Sequence, residues 1–200
     1  EHKIEAVVHF AAFSLVAESM TNPQLYYHNN VQGTLSLLEV MLECSVNKLV
    51  FSSTAAVYGE PEVMPISEEA LKNPTNVYGQ TKLEGELAVS QTLEKYFIVR
   101  IAWVFGQNGK NFVKTMLRLA RERDELSVVD DQLGCPTSAN SIAAALWSLS
   151  ASYLAQGSLP WGIYHFSGQP ACSWHAFALE IFRQAQACGL LQKAPQVHPI

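Results

Sequence analysis

Short apolar runs of β-forming residues recur along this chain with helical periodicity between them, and that alternation restricts the fold more than any other feature. A-V-V-H-F at 6–10, K-L-V-F-S at 48–52, Y-F-I-V-R-I-A at 96–102 and G-I-Y-H-F at 162–166 read as strands. Their near-continuous hydrophobicity suits strands of a parallel sheet covered on both faces. Between them, residues 29–45 are apolar on most sides, and a helix is expected over 80–94. Phe112, Val113, Met116, Leu117 and Ala120 recur at three and four, marking a helix over about 110–123. Ile142, Ala145, Leu146 and Leu149 do the same over 139–150, and Trp174, Phe177, Ala178, Ile181, Phe182 and Ala185 form a stripe behind Ser173, a suitable N-cap. Pro61, Pro65 and Pro74 punctuate a loop over 59–77. Strands alternating with helices predict right-handed βαβ crossovers and a doubly wound parallel α/β sheet. Ligands of such sheets bind outside the carboxyl ends of the strands, so the residues after 10, 52 and 102 are the ones to inspect.

Two hundred residues allow one domain, or one domain and a small lobe. A net charge of -5 gives no field that attracts nucleic acid or an anionic membrane. No run of 18 apolar residues and no signal-peptide pattern is present. The four cysteines, Cys44, Cys135, Cys172 and Cys188, have no C-x-x-C spacing, and read as buried or half-buried free thiols of a reducing cytosol. The six histidines form no H-x-x-x-H cluster, so no metal is expected.

The chemistry concentrates in Y-G-Q-T-K at 78–82. Residues four apart on a helix project to one side. A free tyrosine titrates near 10, and a cation beside it favours the phenolate. Tyr78 could then exchange a proton with a carbinol or carbonyl, with Lys82 supplying the charge. Alone this spacing recurs by chance in many helices. F-S-S-T-A-A-V-Y-G at 51–59 adds hydroxyls at the tip of the second strand, and Thr54 stands 24 residues before Tyr78. A hydroxyl there could bind the oxygen that Tyr78 protonates; a capped strand-to-loop turn accounts for the cluster equally well.

V-V-H-F-A-A at 7–12, N-N-V-Q-G-T at 29–34, the 51–59 segment and Y-G-Q-T-K occur in the order typical of extended short-chain dehydrogenase/reductases, which this chain resembles. Over about residues 1–90 it looks most like the UDP-glucose 4-epimerases. That resemblance places Ala11 and Ala12 against a dinucleotide and matches Asn30 to the family's helix asparagine; close packing and a helix cap are the plainer roles. Over 74–200, V-R-I-A-W-V-F-G at 99–106, N-F-V-K-T-M-L-R-L at 111–119, D-D-Q-L-G-C-P-T at 130–137 and G-I-Y-H-F-S-G at 162–168 resemble the dTDP-4-dehydrorhamnose reductases. By that likeness Trp103 packs on a deoxysugar, as an indole face suits a ring bearing a methyl group. Asn111, Gln132 and Thr137 are weaker candidates for substrate contact, with ordinary helix and loop roles open for each. The reductases usually read S-T-D-Y-V-F where this chain has S-T-A-A-V-Y at 53–58, so the chain resembles a hybrid with a seam between about 58 and 83.

The resemblance implies an NADPH- or NADH-dependent cytoplasmic enzyme acting on a dTDP- or UDP-linked hexose. The leading expectation is reduction of a 4-keto-6-deoxy sugar by Thr54, Tyr78 and Lys82. A 4-epimerase and a non-catalytic sugar-nucleotide-binding fragment are the alternatives. None of the 11 glycines forms the G-x-x-G-x-x-G turn that lets backbone approach a pyrophosphate. The strand at 6–10 would then be the family's fourth, with the first βαβ elements missing and its edge bare unless an upstream segment or a second copy covers it. Little turnover is expected of the fragment alone. Residues 1–105 are expected to form a partial Rossmann-like domain. Residues 106–200 are expected to form a substrate lobe, with elements over about 139–168 returning to complete the sheet.

Overall fold

A computed structural model describes residues 3–200. The chain divides into two compact units, one running up to Ile101 and joined by Gly157–Phe166, the other made of Ala102–Gln156 and Ser167–Ile200. The first unit contains β1 (Val7–His9), α1 (Val16–Thr21), α2 (Pro23–Tyr26), a π-helical turn over Tyr27–Gln32 and α3 (Gly33–Glu43). It continues through β2 (Lys48–Thr54), a 3-10 turn over Ala55–Tyr58, α4 (Val77–Thr92) and β3 (Lys95–Ile101). The second unit holds β4 (Val104–Phe105), α5 (Phe112–Glu122), β5 (Glu125–Val128), β6 (Leu133–Gly134), β7 (Thr137–Ser138) and α6 (Ala139–Gln156). The chain returns to the first unit for β8 (Gly162–His165), then ends in the second with β9 (Cys172–Ser173), α7 (Trp174–Ala187) and β10 (Gln196–Pro199). The helix over Ala139–Gln156 thus falls with the second unit, and the return is narrower than the 139–168 expected.

The four expected strands form one parallel sheet in the order β1-β2-β3-β8. The fold is therefore α/β with a Rossmann-like parallel sheet. Its register sets Val7 beside Leu49, Leu49 beside Tyr96, and Val99 beside Tyr164. The central β2 buries Leu49 and Phe51 among Leu38, Met41, Val89 and Ile98, which is what a run of β-branched, aromatic and leucine residues requires. The strand at 6–10, expected to be buried, is not. Val8 and Phe10 are each 52% exposed, because β1 lies at the sheet edge and, among the described residues, pairs only with β2.

The helix expected over 29–45 is divided, its first part being the π-helical turn and its second α3. Its neighbours α1 and α2 have too few residues for a periodic signal, although Pro23 after Asn22 is a helix-start pattern. Helix α6 runs six residues past the expected end at 150. Cys135 and Cys172 are half-buried, whereas Cys44 and Cys188 are exposed, contrary to expectation, since each caps the C-terminus of a helix where the chain turns outward. In the second unit α5 and α7 pack around the parallel β5–β10 pair, with Met116, Leu126, Val128, Ala178, Ile181 and Phe182 as core. Among the described residues no helix is long and apolar enough to cross a membrane.

Candidate active site

Helix α4 carries Tyr78, Lys82 and Glu86 at successive four-residue steps, so all three lie on one face. Its start is fixed by Asn76, whose side-chain oxygen accepts from the Gly79 N–H at 2.8 Å. That face lies unusually close to β2. A methyl group at Gly79 would sit 2.5 Å from the Ala56 carbonyl oxygen, and one at Gly85 would sit 2.8 Å from the Phe51 ring. Two glycines therefore let the helix approach the strand tip that carries Thr54.

Thr54 ends β2, is buried, and its hydroxyl accepts from the Ala56 N–H at 3.2 Å. The half-buried Tyr78 phenol is held by two opposing influences: burial, the larger, pushes its pKa above the ordinary 10, and hydrogen bonding with the Thr54 hydroxyl pulls it down. The two groups are thus brought together on one side of the sheet. The expected lowering of Tyr78 by Lys82 is not what the structure gives. The Lys82 ammonium lies 4.3 Å from the centre of the Phe51 ring, a cation–π contact, and makes no hydrogen bond among the described residues. Only 4% of Lys82 is exposed, and burial pushes its pKa down to about 8, with Glu86 pulling it back up. His9, whose ring is 5.7 Å from that of Phe51, is itself lowered by burial and by the Lys82 charge.

Asn30, buried in the π-helical turn, organises the loop after β1. Its side chain accepts from Phe13 N–H at 2.8 Å, and donates to the Phe13 carbonyl at 3.0 Å and to Thr81 on α4 at 3.1 Å. Ala11 and Ala12 lie in the loop so pinned, Ala11 exposed and Ala12 half-buried. A third anchor was not anticipated. Ser19, fully buried on α1, accepts the Tyr78 N–H at 3.1 Å and so ties α1 to the first turn of α4.

The remaining predicted residues belong to the second unit, and most of their polar atoms are already engaged. Trp103 has φ 46, a left-handed conformation rare for a bulky residue. Its indole stacks on Trp174 with centroids 3.5 Å apart and planes 12° apart, while Gly134 lies so near that an added methyl would be 2.3 Å from the ring. Asn111 caps α5, accepting from Lys114 N–H at 3.1 Å and donating to the Gly106 carbonyl at 2.8 Å. Thr137 is fully buried, donating to the Cys135 carbonyl and accepting from Gly168 N–H. Gln132 is exposed.

A Rossmann-like parallel sheet thus carries a tyrosine, a threonine and a buried lysine, the candidate acid–base residues, together at its carboxyl edge. Residues 1–200 match the family described as the RmlD substrate binding domain, and the chain belongs to that family. It is 36% identical over 198 residues to the dTDP-4-dehydrorhamnose reductase of Aggregatibacter actinomycetemcomitans, covering 99% of this chain and 67% of that one. Its reductase likeness therefore extends well before residue 74. A UDP-glucose 4-epimerase from Corynebacterium glutamicum is 47% identical over 120 residues, which are 56% of this chain and 36% of that one. Among solved structures, a dTDP-4-dehydrorhamnose reductase from Bacillus anthracis in complex with NADP superposes with a TM-score of 0.85 at 34% identity, over 99% of this chain and 66% of that one. The chain spans about two thirds of the length of these reductases.

Proposed function

We propose that this chain supplies the acid–base site of a reductase acting on a nucleotide-linked 4-keto-6-deoxy sugar, a dTDP-hexose by preference. The observation that carries this is the placement of Tyr78: its phenol meets the Thr54 hydroxyl at the carboxyl end of β2, where a protonated phenol can supply the proton that a new alkoxide must receive. A bound nicotinamide cofactor, NADPH or NADH, supplies the hydride. Tyr78 donates its proton to the sugar oxygen, and the Thr54 hydroxyl orients that oxygen. Lys82 is 4% exposed and its ammonium makes no hydrogen bond among the described residues, which fits a partner carrying ribose hydroxyls. Ala11 and Ala12, short side chains in the loop after β1, are the proposed contacts of the dinucleotide. These features fit the nicotinamide-ribose end of a dinucleotide. Trp103 and Gln132 are the proposed sugar contacts of the second unit; Asn111 and Thr137 act there chiefly by holding backbone.

A 4-epimerase on a UDP-hexose is the second reading. It is favoured by A-A-V-Y at 55–58 and by the 120-residue epimerase match. An epimerase must remove a proton from a carbinol and later return one, so the same phenol would serve there as base and then as acid. The two are separated by supplying the chain with the N-terminal segment of a reductase relative and offering each substrate. Net NADPH consumption with the 4-keto sugar supports reduction; interconversion of UDP-glucose and UDP-galactose without it supports epimerisation.

A further inference from the structure

Two buried charges beside this site have no part in the proposed chemistry. Glu86 on α4 and Arg100 on β3 are 3% and 2% exposed. They meet in a forked pair, Arg100 Nη2 to Glu86 Oε2 at 2.6 Å and Nε to Oε1 at 2.9 Å. The Ser53 hydroxyl donates to the same Oε1 at 2.5 Å. Arg100 Nη1 donates to the Tyr58 hydroxyl and, at 3.0 Å, to the Glu68 carbonyl. The Tyr58 hydroxyl lies 2.7 Å from His165 Nε2. Every oxygen and nitrogen of the forked pair is thus engaged.

Stability is a poor reason for such a pair, because desolvation offsets its attraction and an apolar pair of similar volume usually serves as well or better. Its distinguishing property is what it joins. Glu86 lies one turn beyond Lys82 and two beyond Tyr78, and its partner Ser53 immediately precedes Thr54. The carboxylate therefore clamps the helix bearing two of the three candidate residues to the strand tip bearing the third. The groups facing the Lys82 ammonium among the described residues are Glu86 from α4, His9 from β1 and the Phe51 ring from β2. Glu86 is the sole anion among them.

We propose that Glu86 is a positioning residue, whose carboxylate fixes α4 against the tip of β2 so that Tyr78 meets Thr54, and provides the counter-charge for Lys82. This rests on the assignment of Tyr78, Thr54 and Lys82 to the acid–base site, and its test includes a measurement that needs no turnover. The Cε resonance of Lys82 is followed against pH in carbon-13 lysine-labelled, cofactor-free protein, assigned by its loss in Lys82→Arg. The wild-type midpoint is expected at about 8. Glu86→Gln is expected to lower it by about one unit, and Glu86→Asp to restore most of that shift. Because Glu86→Gln leaves Arg100 unpaired, the double variant Glu86→Leu/Arg100→Met is measured beside it. It is expected to melt no lower than wild type, yet to show the lowered midpoint. In the completed enzyme it should lose about tenfold or more in kcat with the sugar KM unchanged. A Lys82 midpoint and a kcat both unmoved in the well-folded double variant overturn the proposal. A shifted midpoint in protein that consumes no NADPH with any 4-keto sugar leaves the clamp standing and refutes the reductase assignment instead.

Discussion

Lys82 is an expensive residue to bury. In an unfolded chain its amine titrates at the ordinary 10.5, and in the folded chain at about 8. Between those values the unfolded state holds more protons, so this group makes stability rise with pH across that window, while below about 8 the folded state bears its full cost. Lys82→Met should therefore raise the unfolding free energy at pH 7 by on the order of 2–3 kcal/mol, with the gain shrinking toward pH 10 in denaturant titrations. The same variant should lose dinucleotide binding by calorimetry. A site that gives up stability to keep a charge is what function demands of a buried lysine. Tyr78→Phe removes the proposed proton donor with little change of shape, and should lower kcat by about 10²–10⁴ with stability held within about 1 kcal/mol. That Tyr78 and Lys82 share a helix face beside Thr54 was open to sequence reasoning because it depends on residue type and short spacing. The direction of the Tyr78 shift was not, because it depends on burial and on where the Lys82 ammonium turns. Ser19 and Arg100 were equally hidden, since their partners lie 59 and 14 residues away. An arginine inside the apolar run Y-F-I-V-R-I-A was the available signal, and it needed an acid at Glu86, one turn past Lys82, to be read as a buried pair.

At the scale of elements, the decisive contact is α4 on β2. Its closeness depends on Gly79 and Gly85, where a side chain would meet the Ala56 carbonyl and the Phe51 ring. Gly79→Ala faces rigid backbone and should cost about 1–3 kcal/mol, and the displaced Tyr78 should lower kcat more than a stability loss of that size explains. Gly85→Ala meets a ring that can tilt, so it should cost less; thermal melts of the two side by side check the order. The four strands of the sheet were legible because continuous apolar runs bounded by helical periodicity have few other solutions. The short pieces were not. Helices α1 and α2 carry six and four residues, and β5 and β10 carry four each, too few for a periodic pattern. The π-helical turn at Tyr27–Gln32 shares its apolar content with a plain helix, and only the Asn30 contacts to Phe13 and Thr81 account for its position.

Over the whole chain, two separate cores support two units. The first unit presents β1, which among the described residues pairs only with β2, as a sheet edge with Val8 and Phe10 exposed, and an edge of this kind is a template for strand addition. The isolated chain should therefore self-associate at high concentration. Val8→Lys should suppress that association in light scattering without altering the Tyr78 or Lys82 titrations. The return of the chain to the first unit was legible as a fourth apolar run, G-I-Y-H-F at 162–166, which falls within Gly157–Phe166 of that unit. The central claim, that a protonated Tyr78 beside Thr54 serves sugar reduction, is tested most directly by stoichiometry. The chain is completed with the N-terminal segment of a reductase relative, given NADPH and a dTDP-linked 4-keto-6-deoxyhexose, and compared with its Tyr78→Phe form. One NADPH consumed per sugar reduced, at a rate at least about 100-fold lower in the variant, is the predicted result. Equal rates in the two proteins, or UDP-hexose epimerisation with no net NADPH loss, would contradict it.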